Sequence, residues 1–306
     1  FSPYIPDTRI RLEIILLYVS TILIFFLRRS FLPLEKKLIF VAGLGGAWCG
    51  LSILRSPNVD YVFNLITWTN MNFMLLSIGG MFVTFGANAL NQVLERDFDR
   101  LMERTKLRPL PDSRMNVSFA VLISGLFCLL GIASLGLINP LASLLGMLSF
   151  VMYTFVYTPL KRYSTLAVPV GAIPGALPVL IGAVAAQGTI TVEALCLFAI
   201  QYLWQFPHFW AIAWLGHDDY TKAGFKLIAD IDGKPDPLFG IYSAIYTSIS
   251  LLICIYMFVH YDYNPLIAVG LISSVLAYVY FSIRLYTDNN RHAARALMFC
   301  SILYLP

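Results

Sequence analysis

Asn88, Asn91, Glu95 and Asp99 recur at spacings of three, four and four, so on a helix they share one face and bring their oxygens together. Oxygen donors gathered in this way suit a hard cation. Magnesium in particular is usually held by a few carboxylates together with the phosphates of a substrate. The same stretch adds Asp97, Arg104, Lys106 and Arg108, and Lys161 and Arg162 lie further along the chain. Guanidinium forks grip phosphate oxygens in bidentate fashion, so acids and bases together describe a site for a magnesium diphosphate.

A plainer reading treats Glu95, Asp97 and Asp99 as a solvated helix end neutralised by Arg96, Arg100 and Arg104. It accounts for the charges but not for Asn88, Asn91 and Gln92, which carry the polar face into apolar sequence. The basic residues are equally open to attraction by anionic lipid. Gln201, Trp204, Gln205 and His208 form a second polar and aromatic stripe, and His208 precedes Asp219 by eleven residues. That is close to three helical turns, so an uninterrupted helix puts both on one face. A hydrogen-bonded packing role is the alternative for His208. His217 reads as a surface residue beside Asp218 and Asp219, and no role is assigned to His260 or His292.

The elements that must position these groups are membrane helices. The chain has 306 residues, of which 58% are hydrophobic and 12% charged, with a mean hydropathy of +0.74. Those figures lie far outside the soluble average and specify an integral membrane protein. Nine apolar runs, near residues 10–27, 38–54, 62–87, 117–138, 141–158, 167–186, 193–215, 238–260 and 265–283, approach the length a bilayer demands. The expected fold is an all-α, polytopic bundle of about nine transmembrane helices plus an extra N-terminal helix. A tenth run, 296–305, is too short to cross, which suggests a C-terminal helix cut short.

Charge sets the orientation. Of the 21 Lys and Arg residues, eighteen fall in alternate loops on one side, leaving Arg9, Arg11 and Arg55 opposite. The net charge of +4 therefore reflects membrane topology and does not call for nucleic acid. The two sizeable polar segments, 88–116 and 216–237, lie on that basic side and are expected to face one another across one cavity. Between them, Pro169, Pro174, Pro178, Gly171 and Gly175 interrupt a spanning helix, either to kink it around a cavity or to allow close packing. Five cysteines stand singly in apolar runs and offer neither a metal motif nor a disulfide framework.

Four motifs, in order, carry a family resemblance: Asn91-Gln-Val-Leu-Glu-Arg-Asp-Phe-Asp99 with Met102-Glu-Arg-Thr-Lys-Leu-Arg-Pro-Leu-Pro111, Tyr157-Thr-Pro-Leu-Lys-Arg162, Trp204-Gln-Phe-Pro-His-Phe209, and Asp218-Asp-Tyr-Thr-Lys-Ala-Gly224. They resemble the intramembrane UbiA-type prenyltransferases, and the third motif resembles the branch that farnesylates protoheme IX. The resemblance spans residues 36–306 as the prenyltransferase domain and leaves 1–35 as the extra helix with its basic loop. It implies that Asn91, Glu95, Asp97 and Asp99, with Asp218 and Asp219, hold Mg2+, and that Arg104, Arg108, Lys161 and Arg162 grip the diphosphate. Asn91, Glu95, Asp99 and His208 are the implied catalytic group, His208 standing at the heme-branch histidine. Farnesyl diphosphate, protoheme IX and membrane lipid are the implied partners, with heme A synthase or oxidase assembly proteins as neighbours. The implied location is the bacterial cytoplasmic membrane or the mitochondrial inner membrane. Leu34-Glu-Lys-Lys37 replaces the family's usual Lys-Pro-Arg element, and the second acidic motif is two adjacent aspartates instead of a spaced pair.

Overall fold

The structure, a computed structural model, describes residues 70–261 and 265–304; the runs near 10–27 and 38–54, and the extra N-terminal helix, lie outside those residues. Six of the expected apolar runs fall within the described part, and a seventh, 62–87, does so from residue 70 on; what is described of each is helical. In chain order the helices are α1 (Asn70–Leu94), α2 (Arg96–Asp99), α3 (Val117–Ile138), α4 (Pro140–Val151), a π-helical turn (Met152–Tyr157), α5 (Thr158–Leu160), α6 (Ala167–Gln187) and α7 (Val192–Leu215). There follow α8 (His217–Lys222), α9 (Leu238–His260), α10 (Pro265–Asp288) and α11 (Arg291–Tyr304). A two-stranded antiparallel hairpin, β1 (Asp230–Ile231) with β2 (Lys234–Pro235), is the departure from helix among the described residues.

Among the described residues, six segments are long and apolar enough to cross a membrane: 71–94, 117–138, 140–160, 167–187, 238–260 and 269–288. Helix α7 has 24 residues, long enough to cross, but Glu193, Gln201, Gln205 and His208 dilute its apolar character. The described part of α11 has 14 residues.

Local sequence sets the helix ends. Asn139 breaks the chain between α3 and α4 in an extended conformation, and its side chain accepts from Leu141 N at 2.7 Å, with Pro140 at the first helical position. Asn116 and Thr191 cap α3 and α7 in the same way. With no hydrophobic drive between helices in lipid, close approach depends on small residues. Gly131 of α3 lies so near α1 that a Cβ there would come within 2.7 Å of Val83 N, and Ser124 Oγ donates to Gly86 O at 2.7 Å.

Helix α6 stays continuous despite Pro174 and Pro178. Pro178 has no N–H to offer Pro174 O, and Ser149 Oγ supplies a donor to that carbonyl at 3.2 Å. One core joins α1, α3, α4 and α6 around Leu135 and Val184, a second joins α6, α7 and α9 around Phe206 and Trp210, and a third joins α7, α10 and α11 around Tyr278 and Leu297. The two polar segments meet as expected. Met102 packs with Ala223 and Phe225, while Lys226 N donates to Lys161 O at 2.6 Å.

Candidate active site

Helix α1 formally ends at Leu94, yet Glu95 N bonds Asn91 O at 2.9 Å and Asp99 N bonds Glu95 O at 2.8 Å, so the helical register runs on through the turn. Asn91, Glu95 and Asp99 therefore share a face as their spacing requires, and they are 7%, 6% and 0% exposed. The π-helical turn then aims the next element at them. Its extra residue per turn shifts the register, a device common at functional sites. Tyr153 hydroxyl donates to Asn88 Oδ1 at 3.2 Å, and Asn91 Nδ2 donates to Thr158 Oγ1 at 2.9 Å.

Thr158 also orients the Asn91 amide. The threonine proton goes to Tyr153 O at 2.9 Å, so its oxygen receives the amide N–H2 of Asn91. The oxygen of Asn91 is thereby left on the other side, free to act as a ligand.

The carboxylates are met by bases. Lys161 Nζ forms an ion pair with Glu95 Oε1, both groups buried, and the ammonium also lies 4.8 Å from the Tyr157 ring centroid and 5.5 Å from that of Phe225. Burial pulls the Lys161 ammonium below the ordinary lysine range, with Glu95 opposing that shift. Arg108 Nη1 bonds Asp99 Oδ2 at 2.9 Å, whereas Asp99 Oδ1 is buried with no hydrogen-bond partner. A wholly buried carboxylate oxygen without a donor is costly unless something positive completes it.

Among the described residues no three His, Cys, Asp or Glu side chains cluster as a ready metal cage. The donor set does fit magnesium in its usual mode, one or two carboxylates with the remaining oxygens from phosphate and water. Asn91, Glu95 and Asp99 supply such oxygens.

The other expected site residues are placed as follows. Asp97 turns outward, its side chain 64% exposed and bonded to Arg96 at 3.0 Å and Arg100 at 3.4 Å, apart from the buried face of Asn91, Glu95 and Asp99. Hydrogen bonding from Arg96 holds its carboxyl below the usual range. Arg104 Nη2 bonds Tyr220 hydroxyl at 3.4 Å, which ties the first polar segment to the second, and Arg162 lies 4.6 Å over the Phe98 ring. Asp218 is exposed and Asp219 partly exposed, both in α8.

Gly216 parts α7 from α8 only as Glu95 parts α1 from α2: Gly216 N bonds Ile212 O and Tyr220 N bonds Gly216 O, both at 3.0 Å, so the helical register runs on from His208 toward Asp219. The His208 ring itself meets Ser301 of α11, Nδ1 to Oγ at 2.7 Å. His217 corrects its surface reading: it is buried, with Nε2 at 2.9 Å from Asp230 Oδ2. No local pattern points to this pairing, since Asp230 comes from the hairpin.

Beneath the polar face, an apolar cavity of about 340 Å³ opens between α1, α4, the π turn, α6 and α7, with Asn88, Tyr153, Tyr157, Gly175, Gln205 and Phe209 on its wall. Gly175 is required by this wall, because a Cβ there would come within 1.9 Å of Gln205 Oε1. The arrangement can hold a charged head at the oxygen and arginine end and an isoprenoid-like tail in the cavity.

Comparison with known proteins agrees with that division. Residues 61–303 match the UbiA prenyltransferase family. The chain is 39% identical over 259 residues to the protoheme IX farnesyltransferase of Christiangramia forsetii, covering 83% of this chain and 86% of that protein. It is 34% identical over 242 residues to the human mitochondrial protoheme IX farnesyltransferase, covering 76% of this chain and 52% of that one. In fold it is similar to a UbiA homolog from Archaeoglobus fulgidus bound to DMAPP and Mg2+, with a TM-score of 0.60 at 18% identity over 76% of this chain and 85% of that one. The chain belongs to the UbiA prenyltransferase family of integral membrane enzymes.

Proposed function

We propose that this protein transfers the farnesyl group of farnesyl diphosphate to a vinyl group of protoheme IX, releasing diphosphate and giving heme O for a respiratory oxidase. The observation that carries the reading is Asp99, a fully buried carboxylate with one oxygen on Arg108 and the other without a partner, set beside Glu95 above an apolar cavity. The relatives named protoheme IX farnesyltransferase support the choice of acceptor.

Asn91, Glu95 and Asp99 would hold magnesium, with Asp218 and Asp219 meeting the far side of the same diphosphate. Bound there, the metal supplies Lewis-acid neutralisation of charge developing on the leaving diphosphate. Arg104, Arg108, Lys161 and Arg162 share that task, gripping the phosphate oxygens as the allylic carbon–oxygen bond weakens. The cavity accepts the tail, and its aromatic wall of Tyr153, Tyr157 and Phe209 faces the developing allylic cation while keeping water away. The electrons of the protoheme vinyl group attack the allylic carbon, and water adds to the cation left beside the porphyrin, losing a proton to give a hydroxyethylfarnesyl substituent. His208 serves the heme side of this reaction. The membrane is an energy-coupling one, bacterial cytoplasmic or mitochondrial inner.

Mass spectrometry of purified protein given protoheme, farnesyl diphosphate and magnesium tests the reading. A heme product heavier by one farnesyl and one hydroxyl group, formed with one diphosphate released per turnover, is expected. Prenylation of a quinone precursor in place of protoheme, or no diphosphate release, would reject it.

A further inference from the structure

We infer that Ser301 fixes the tautomer of His208, so that the ring offers Nε2 as a bare nitrogen donor to the iron of a metalloporphyrin; the inference rests on the heme reading above. Ser301 Oγ stands 2.7 Å from His208 Nδ1 and 2.6 Å from Met298 O. A serine hydroxyl has one proton and a carbonyl has none, so a contact of 2.6 Å between the two oxygens requires that proton to lie between them. Oγ can then only accept from the histidine. The proton of a neutral ring is thereby assigned to Nδ1, and the remaining lone pair to Nε2.

The surroundings hold the ring in place as well as in protonation. Trp204 stacks on His208 with centroids 4.8 Å apart and planes 17° from parallel. The indole is itself locked, since its Nε1 donates to Ser301 O at 2.7 Å and Tyr278 hydroxyl donates to Trp204 O at 3.0 Å. Ser301 thus touches both the histidine and the tryptophan that supports it, and Ser301 is wholly buried while His208 keeps part of its surface open. Metal-binding histidines nearly always donate their second ring N–H to such a fixed acceptor, which sets the tautomer and raises the basicity of the ligating nitrogen. A histidine that only fills space between α7 and α11 would need the Nδ1 contact too, since a buried N–H requires an acceptor, but it would gain nothing from leaving Nε2 without a hydrogen bond on the part of the ring that stays open. Ser301 is a positioning residue in this arrangement, and His208 the ligand.

The test uses the purified full chain in lipid nanodiscs, ferric protoheme as the probe, and two readouts besides turnover: nitrogen-15 resonances of labelled histidine rings, and the optical and electron paramagnetic spectra of bound heme. Wild-type protein should show an Nδ1-protonated His208 and a nitrogen-ligated heme, and His208→Ala should lose that ligand signature. Ser301→Ala should release the tautomer preference and weaken heme binding by about ten- to a hundredfold, and Ser301→Thr, which keeps the hydroxyl, should restore both. Unchanged ring resonances and heme spectra in Ser301→Ala, or a nitrogen-ligated heme in His208→Ala, would overturn the inference. Its failure is separable from that of the heme reading: farnesylated heme made without a His208-dependent spectrum rejects only the inference, while a His208-dependent spectrum without farnesylated heme rejects only the reaction.

Discussion

Replacing Asp99 by asparagine keeps the shape of the side chain while removing its charge, and the surroundings of the residue dictate two opposite effects. The amide oxygen can still accept from Arg108 Nη1, now 2.9 Å from Oδ2, but an N–H2 group replaces the oxygen that has no partner. A donor aimed at a cation repels it. Losing one preorganised electrostatic partner of the departing charge typically costs about 2.7–4 kcal/mol, so turnover should fall by about 100- to 1,000-fold. Stability should not follow. A buried carboxylate carries a large desolvation penalty, and Arg108 is 33% exposed and can turn to water, so unfolding should shift by at most about 1 kcal/mol. The assay pairs product mass spectrometry with thermal unfolding in detergent. Activity within fivefold of wild type refutes the ligand role, and a protein that fails to fold refutes the argument from burial.

Other perturbations separate structure from chemistry. Lys161→Met strands Glu95 in a site where the two side chains are 10% and 8% exposed, and should cost about 3–5 kcal/mol by thermal unfolding; adding Glu95→Gln should recover most of it, and an additive double variant would contradict a coupled pair. Arg104→Ala gives up a 3.4 Å bond to Tyr220 at the surface, so its unfolding midpoint should hold while KM for farnesyl diphosphate rises about tenfold, or about 1.4 kcal/mol; a KM equal to wild type would place the diphosphate elsewhere. Gly175→Val drives a side chain into Gln205 and the cavity, so kcat/KM for farnesyl diphosphate should drop further than for the shorter geranyl diphosphate; equal losses would show that the tail lies outside the cavity.

What could be read from the sequence was whatever depends on a regular helix. The spacing of Asn91, Glu95 and Asp99 held because two backbone bonds carry the helical register across the turn at Glu95. The register likewise passes from His208 toward Asp219, since Gly216 N bonds Ile212 O and Tyr220 N bonds Gly216 O, but helical spacing alone could not show that the His208 ring meets Ser301. The π turn concealed Tyr153 and the parts played by Tyr157 and Thr158, which stand in the second motif without a role there, because an extra residue per turn moves side chains off the faces that a 3.6-residue period predicts. Charge type alone could not distinguish Asp97 from Asp99, since both sit among arginines and differ in which side of the chain they occupy. Contacts between distant segments, such as Lys226 with Lys161, His217 with Asp230 and Ser301 with His208, left no local trace. The resemblance carried by the third motif pointed to His208, but it carried no information about Ser301.

The proposed chemistry turns on Asn91, Glu95 and Asp99 binding a divalent ion that also touches the substrate diphosphate. Electron–nuclear double resonance on protein loaded with Mn2+ in place of magnesium and with farnesyl diphosphate measures that contact directly. Phosphorus-31 couplings to the manganese should appear in the wild-type protein and vanish in Asp99→Asn. Couplings of full strength in the variant would contradict the account.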